Sequence, residues 1–249
     1  MSIRLLSRCA ATASAAVVTV TAGLAVAGPA FADVSITSAT LSATTVVIDG
    51  DAGCGDRSTI TLKLSDPGRD ASPTADVSDP SGDLADFVVL GLSSSSGGAL
   101  TYTGRINLCG FQKPGKYSVV INADWYDDDI VLHTLERTLS LNVQRPTTLT
   151  YNASPEPVKR GKSLTHSGQL KRDAYQFGPM YGPKGATVKF YFRAYSWKNY
   201  LYKGSVQTGA DGKYSKKITA WDSGWWKAVY QGESWRQTAT KWDEVKVSR

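Results

Sequence analysis

Short runs rich in β-branched and aromatic residues recur every 8 to 15 residues from position 33 onward. Gly, Pro, Asp and Ser separate them, and no segment keeps a helical period. The pattern predicts strands near 34–41, 44–49, 58–65, 86–92, 100–108, 116–124 and 130–143, the last long enough for one strand or two. A second series lies near 147–152, 163–171, 186–194, 199–207, 213–219, 225–231 and 241–248. About seven strands in about 100 residues is the arithmetic of an immunoglobulin-like sandwich. The expected fold is therefore all-β, with two such sandwiches in tandem after an N-terminal signal peptide.

Alternation also assigns faces. Val188, Phe190 and Phe192 point one way while Lys189, Tyr191 and Arg193 point the other, so the first set is expected in the core. By the same rule Trp226, Ala228 and Tyr230 face inward, with Trp225 and Lys227 outward. Val245 and Val247 face inward, with Trp242, Glu244 and Lys246 outward. Asp211-Gly212 sits between two strand-like runs and suits a hairpin, because glycine tolerates the positive φ of such turns. Residues 66–83 and 93–98 are short of bulky apolar side chains and are expected to be surface loops.

The first 32 residues differ from this pattern. Arg4 and Arg8 precede an alanine- and valine-rich run over 10–27, and Ala30-Phe31-Ala32 is an A-x-A signature that places a signal cleavage between Ala32 and Asp33. The run is nearly long enough to span a bilayer, but it is weakly apolar and the cleavage signature follows at once. The mature chain is expected to be secreted, with no membrane anchor. Removal of residues 1–32 leaves Cys54 and Cys109, an even pair in an exported chain, which reads as one disulfide.

Charge divides what remains. Residues 33–145 hold 15 acidic against 8 basic side chains, net −7; residues 146–249 hold 18 basic against 7 acidic, net +11. Of the 24 Phe, Trp and Tyr residues after position 32, 18 fall after position 145. The expected organisation is an acidic domain over 33–145 with one disulfide and a basic, aromatic-rich domain over 146–249, with the boundary at Arg145-Pro146. Oppositely charged halves also offer a route to self-association.

Catalysis has little to stand on. The only histidines, His133 and His166, fall in separate halves inside strand-like runs, and no nucleophile elbow occurs. No enzyme activity and no cofactor are expected, and a secreted hydrolase or inhibitor is the reading with least support. Asp124, Asp127 and Asp129 cluster near a strand end and offer hard oxygen ligands, so a calcium-stabilised adhesion or assembly module is one alternative. The EF-hand pattern fails there, and a solvated acidic hairpin is the simpler reading. The basic half carries the stronger functional signal. Tyr191, Trp197, Trp225, Trp235 and Trp242, interleaved with Lys189, Lys227 and Arg236, form a candidate ligand-binding set. Aromatic faces stack on sugars or bases, and the cations attract polyanions. The expected partner is cell-wall polysaccharide or another extracellular polyanion, nucleic acid among the alternatives. The competing reading is an aromatic core with ordinary surface lysines.

The stretch Leu149-Thr150-Tyr151-Asn152-Ala153-Ser154-Pro155-Glu156-Pro157-Val158-Lys159-Arg160-Gly161-Lys162 adds a resemblance, as do Gly168-Gln169-Leu170, Gly224-Trp225-Trp226, Tyr230-Gln231-Gly232 and Val245-Lys246-Val247. In this order they resemble the C-terminal domain of exported actinobacterial, streptomycete-type proteins built from tandem Ig-like domains. The match is close over 147–249 and looser before it. The resemblance implies secretion and Ig-like sandwiches, and implies no activity or catalytic residue. The aromatic run from Tyr191 to Tyr202 is denser than the family pattern.

Overall fold

The computed structural model describes residues 34–65, 70–127, 129–174 and 178–249. The expected signal segment and its cleavage point at Ala32 and Asp33 lie outside the described residues. Among those residues the chain is all-β. Two sheets form from β1 (Ile36–Leu41), β2 (Thr45–Val47), β3 (Gly55–Ser65), β4 (Ala71–Ser78), β5 (Leu84–Val89), β6 (Gly91–Ser96), β7 (Ala99–Leu108), β8 (Gly115–Tyr126) and β9 (Leu132–Gln144). One runs β1-β3-β7-β6 and the other β2-β9-β8-β4-β5, the strand order of an immunoglobulin-like sandwich. Inward residues of both sheets, among them Ile60, Leu62, Ile106, Val119 and Ile121, form one core. Near the start of β8 the Tyr117 hydroxyl donates to the Lys113 carbonyl at 2.6 Å, the tyrosine-corner arrangement of such sandwiches.

The C-terminal half adds β10 (Thr147–Leu149), β11 (Asn152–Ser154), β12 (Val158–Lys159), β13 (Ser163–Ala174), β14 (Gly178–Tyr181), β15 (Thr187–Ala194), β16 (Leu201–Gln207), β17 (Lys213–Thr219), β18 (Gly224–Tyr230), β19 (Ala239–Val245) and β20 (Val247–Ser248). The long β13 pairs with β10, β11, β14 and β17, and the facing sheet runs β16-β15-β18-β19. Val188, Phe190, Phe192, Trp226, Ala228, Tyr230 and Val245 are buried as their parity requires. Val247 is only half-buried, on β20, which pairs in parallel with β12.

Three local expectations are corrected. Residues 71–78 are a strand between β5 and β8, with Pro73, Ala75 and Val77 buried. Its inward side chains are small and it contains a proline, so hydrophobic bulk did not mark it. Residues 91–96 are an exposed edge strand, hydrogen-bonded to β7 on one side, a position that needs no apolar side chains. The Asp211-Gly212 turn does form, with Gly212 at φ 77° and its N–H donating to the Gly209 carbonyl. It joins β16 to β17 in different sheets, however, so it closes no hairpin.

Cys54 and Cys109 are joined by a disulfide. They flank the paired ends Gly55 and Leu108 of β3 and β7, so the bond staples two neighbouring strands of one sheet. The Arg145-Pro146 step is no open linker. Arg145 is fully buried; its guanidinium donates to the carbonyls of Ile48 and Gln112, and its backbone exchanges hydrogen bonds with Trp235 and Gln237. Asp173 accepts from the Gly50 N–H at 2.8 Å. Residues far apart in sequence thus meet at a buried polar junction.

A candidate ligand-binding face on the C-terminal sheet

Antiparallel pairing fixes which outward side chains of β16-β15-β18-β19 stand beside one another. Tyr191 on β15 lies opposite Tyr202 on β16 and Lys227 on β18, and Lys227 lies opposite Trp242 on β19. Directly opposed residues share a face, so Tyr202, Tyr191, Lys227 and Trp242 form a row across four strands. The row on one side places Arg193, Trp225 and Glu244 together, and the row on the other side aligns Lys189, Val229 and Thr240. Parity alone settles that these side chains point out; the register settles that they are neighbours.

Cation–π and aromatic contacts join Tyr202, Tyr191 and Lys227 of the row to one another and to Tyr200. The Lys227 Nζ sits 4.3 Å from the Tyr200 ring centroid and 5.1 Å from that of Tyr191. Arg193 lies 5.3 Å from the Tyr200 centroid, and Tyr191 meets Tyr202 edge-on at 5.6 Å. Tyr202 and Trp242 are each 57% exposed, so their rings are offered to solvent. Lys189 donates to the Gln231 side chain at 2.7 Å. Tyr195 donates to Glu244, which engages the carboxylate of this face and raises the Tyr195 hydroxyl pKa. The cations Lys189, Arg193 and Lys227 therefore dominate the face.

The other expected site residues lie elsewhere. Arg236 is buried, donating to the Asp173 carbonyl and the Tyr181 hydroxyl, and its guanidinium lies 3.9 Å over the Trp235 ring. Both belong to the polar junction, because the Glu233–Arg236 turn folds back onto Arg145 rather than continuing a strand. Trp197 stands edge-on to Phe192 at 5.7 Å, on the turn after β15. Tyr200, Tyr202 and Arg193 complete the face; the sequence showed their alternation but not their register.

The acidic alternative is not assembled. Asp127 uses one carboxylate oxygen on the N–H groups of Asp129 and Val131 and the other on His133 at 2.8 Å, contacts that lower its pKa. Asp124 accepts from Thr134 instead. Among the described residues no group of three His, Cys, Asp or Glu side chains is placed to hold a metal, so Asp124, Asp127 and Asp129 do not form the expected calcium set. His166 is buried, 2.7 Å from the Tyr151 hydroxyl and packed against Trp226, and burial lowers its pKa to about 4.

No family model and no curated protein matches the chain. Among solved structures it is similar to superoxide reductase (neelaredoxin) from Ignicoccus hospitalis, at 18% identity over 41% of this chain and 80% of that one, TM-score 0.31. It is similar to Escherichia coli alpha-2-macroglobulin at 13% identity over 84% of this chain, TM-score 0.38, spanning only 14% of that protein's length. With DIP-gamma IG1+IG2 it shares 9% identity over 88% of this chain and 99% of that one, TM-score 0.29. The scores are low, and the fold class rests on the strand order itself.

Proposed function

We propose that this protein is a secreted, non-enzymatic binding module that grips an anionic, sugar-containing polymer on the outer face of β16-β15-β18-β19. One observation carries the reading: the in-register row Tyr202–Tyr191–Lys227–Trp242. Adjacent strands lie about 4.8 Å apart, so the row presents ring, ring, cation and ring at a spacing on the scale of a sugar chain. The rings supply stacking surfaces, and Lys227 with Arg193 and Lys189 attracts the charged groups between sugars. The net +11 of residues 146–249 supports attraction from a distance. An extracellular setting is supported by the Cys54–Cys109 bond.

Co-sedimentation with purified cell wall and with neutral polysaccharides across a salt series tests the reading. Wall binding is expected to fall steeply with salt. The Lys227→Ala, Trp242→Ala double variant is expected to lose most of that binding while melting at the wild-type temperature. Binding that is salt-insensitive, or unchanged in the double variant, would refute it. Tighter capture by DNA than by wall polymer would reassign the face to nucleic acid.

A further inference from the structure

A second aromatic cluster lies off this face. A bulge at the β15–β16 pairing, between Phe190 and Tyr191, leaves Tyr202 opposite Tyr191 on the outer face while Lys203 lies over Phe192, its Nζ 5.9 Å from the ring centroid. There Phe192, Trp197, Lys203, Thr219, Trp221 and Asp222 surround a cleft of about 230 Å³, with buried Trp226 also in its wall. Trp221 is 59% exposed and Trp197 38% exposed, so two indoles stand at the mouth while Phe192 and Trp226 close the interior.

The exposed indole is held in place. Trp221 packs against Gly161, whose absent Cβ would lie 3.5 Å from the ring, and Gly161 has φ 75°. The Gly161 N–H donates to the Ala220 carbonyl at 2.8 Å, which ties the Arg160–Lys162 turn to the segment carrying Trp221. Trp197 sits on a turn closed by its backbone N–H donating to the Ala194 carbonyl at 3.0 Å, and its ring packs edge-on against Phe192. A fixed pair of large rings costs little ordering entropy when a ligand arrives.

We propose that this cleft is a binding subsite for a single neutral pyranose ring. Its volume lies below that of sites that enclose drug-sized ligands and is on the scale of one ring with its substituents. The lining carries both signs of charge, Lys203 and Asp222, the latter 3.9 Å from Arg160. A cationic ligand such as a quaternary ammonium would meet the Lys203 ammonium already placed over Phe192. An anionic ligand would meet the Asp222 carboxylate. A neutral polyhydroxy ring uses both: its hydroxyls donate to Asp222 and accept from Lys203 and Thr219, while its C–H face stacks on an indole. The site is independent of the polymer face, since it uses none of Tyr191, Lys227 or Trp242.

Titration calorimetry of the protein comprising residues 33–249 with methyl pyranosides of gluco, galacto, manno and N-acetylglucosamine configuration tests this directly. The parallel readout is the shift of the Trp197 and Trp221 indole N–H resonances in ¹H–¹⁵N spectra. The expected result is weak, saturable binding of at least one pyranoside that shifts both resonances. Trp221→Ala should weaken it by about tenfold, on the scale of one lost stacking contact. That variant should unfold at the wild-type temperature, because its ring is mostly exposed, and Trp242→Ala should leave pyranoside binding unchanged. The proposal is overturned if no pyranoside binds, if binding survives Trp221→Ala, or if Trp242→Ala abolishes it. Tighter binding of tetramethylammonium or of indole than of every pyranoside would overturn it as well.

Discussion

The Nε of Arg145 lies 3.9 Å from Oδ2 of Asp173, and the two side chains are 0% and 3% exposed. This pair links the end of β9 to β13 at the polar junction. The Asp173 carboxylate also receives the Gly50 N–H, and its backbone carbonyl receives Arg236. Burial pushes the Asp173 pKa up, partly offset by the hydrogen bond from Gly50.

Removing the carboxylate takes an opposite charge from beside buried Arg145 and the acceptor from the Gly50 N–H. Asp173→Ala is expected to destabilise the chain by about 3–5 kcal/mol, the range for breaking a buried pair by deleting one partner. Urea denaturation followed by tryptophan fluorescence reads this, and a loss below about 1 kcal/mol would show that the pair contributes little to stability.

His166 makes stability depend on pH in a defined direction. Its folded-state pKa of about 4 lies below the ordinary 6.5, so between these values the unfolded chain binds more protons than the folded one. Stability should therefore fall as pH drops from 6.5 toward 4, by about 3 kcal/mol from this residue at the most. His166→Gln should flatten that slope whatever its own cost. Thermal melts at several pH values compare the two chains, and equal slopes would remove His166 as the cause.

The disulfide closes a separation of 55 residues. In the chain-entropy model its removal costs about 4 kcal/mol, because the unfolded ensemble regains that loop. The Cys54→Ser, Cys109→Ser double variant is expected to show a lowered denaturation midpoint with the sandwich retained. An unchanged midpoint would show that hydrogen bonds around the same end, such as Arg57 to the carbonyls of Gly53 and Leu108, hold it unaided.

Legibility followed side-chain bulk. Strands with alternating large apolar residues, such as β15 and β18, were readable because parity and burial coincide. The strand β4 was not, since its inward Pro73, Ala75 and Val77 fill a space shaped by β5 and β8, and small residues leave no periodic signal. Trp221 and Asp222 escaped for a related reason. They sit between β17 and β18, outside any alternating run, so parity assigns them no face.

An all-β chain, its cysteine pair, the inward sets such as Val188, Phe190 and Phe192, and the concentration of positive charge and aromatics after position 145 are all legible along the chain. Each follows from local chemistry: period-two alternation, redox pairing and composition. Tertiary structure alone decided that Tyr202, Tyr191, Lys227 and Trp242 stand in one row, that Arg236 is buried beside Trp235, and that Asp124 and Asp127 take different partners. Those facts depend on strand register and on which loops fold back. Register is set by packing between residues distant along the chain, and a one-residue slip moves every side chain of a strand to the opposite face.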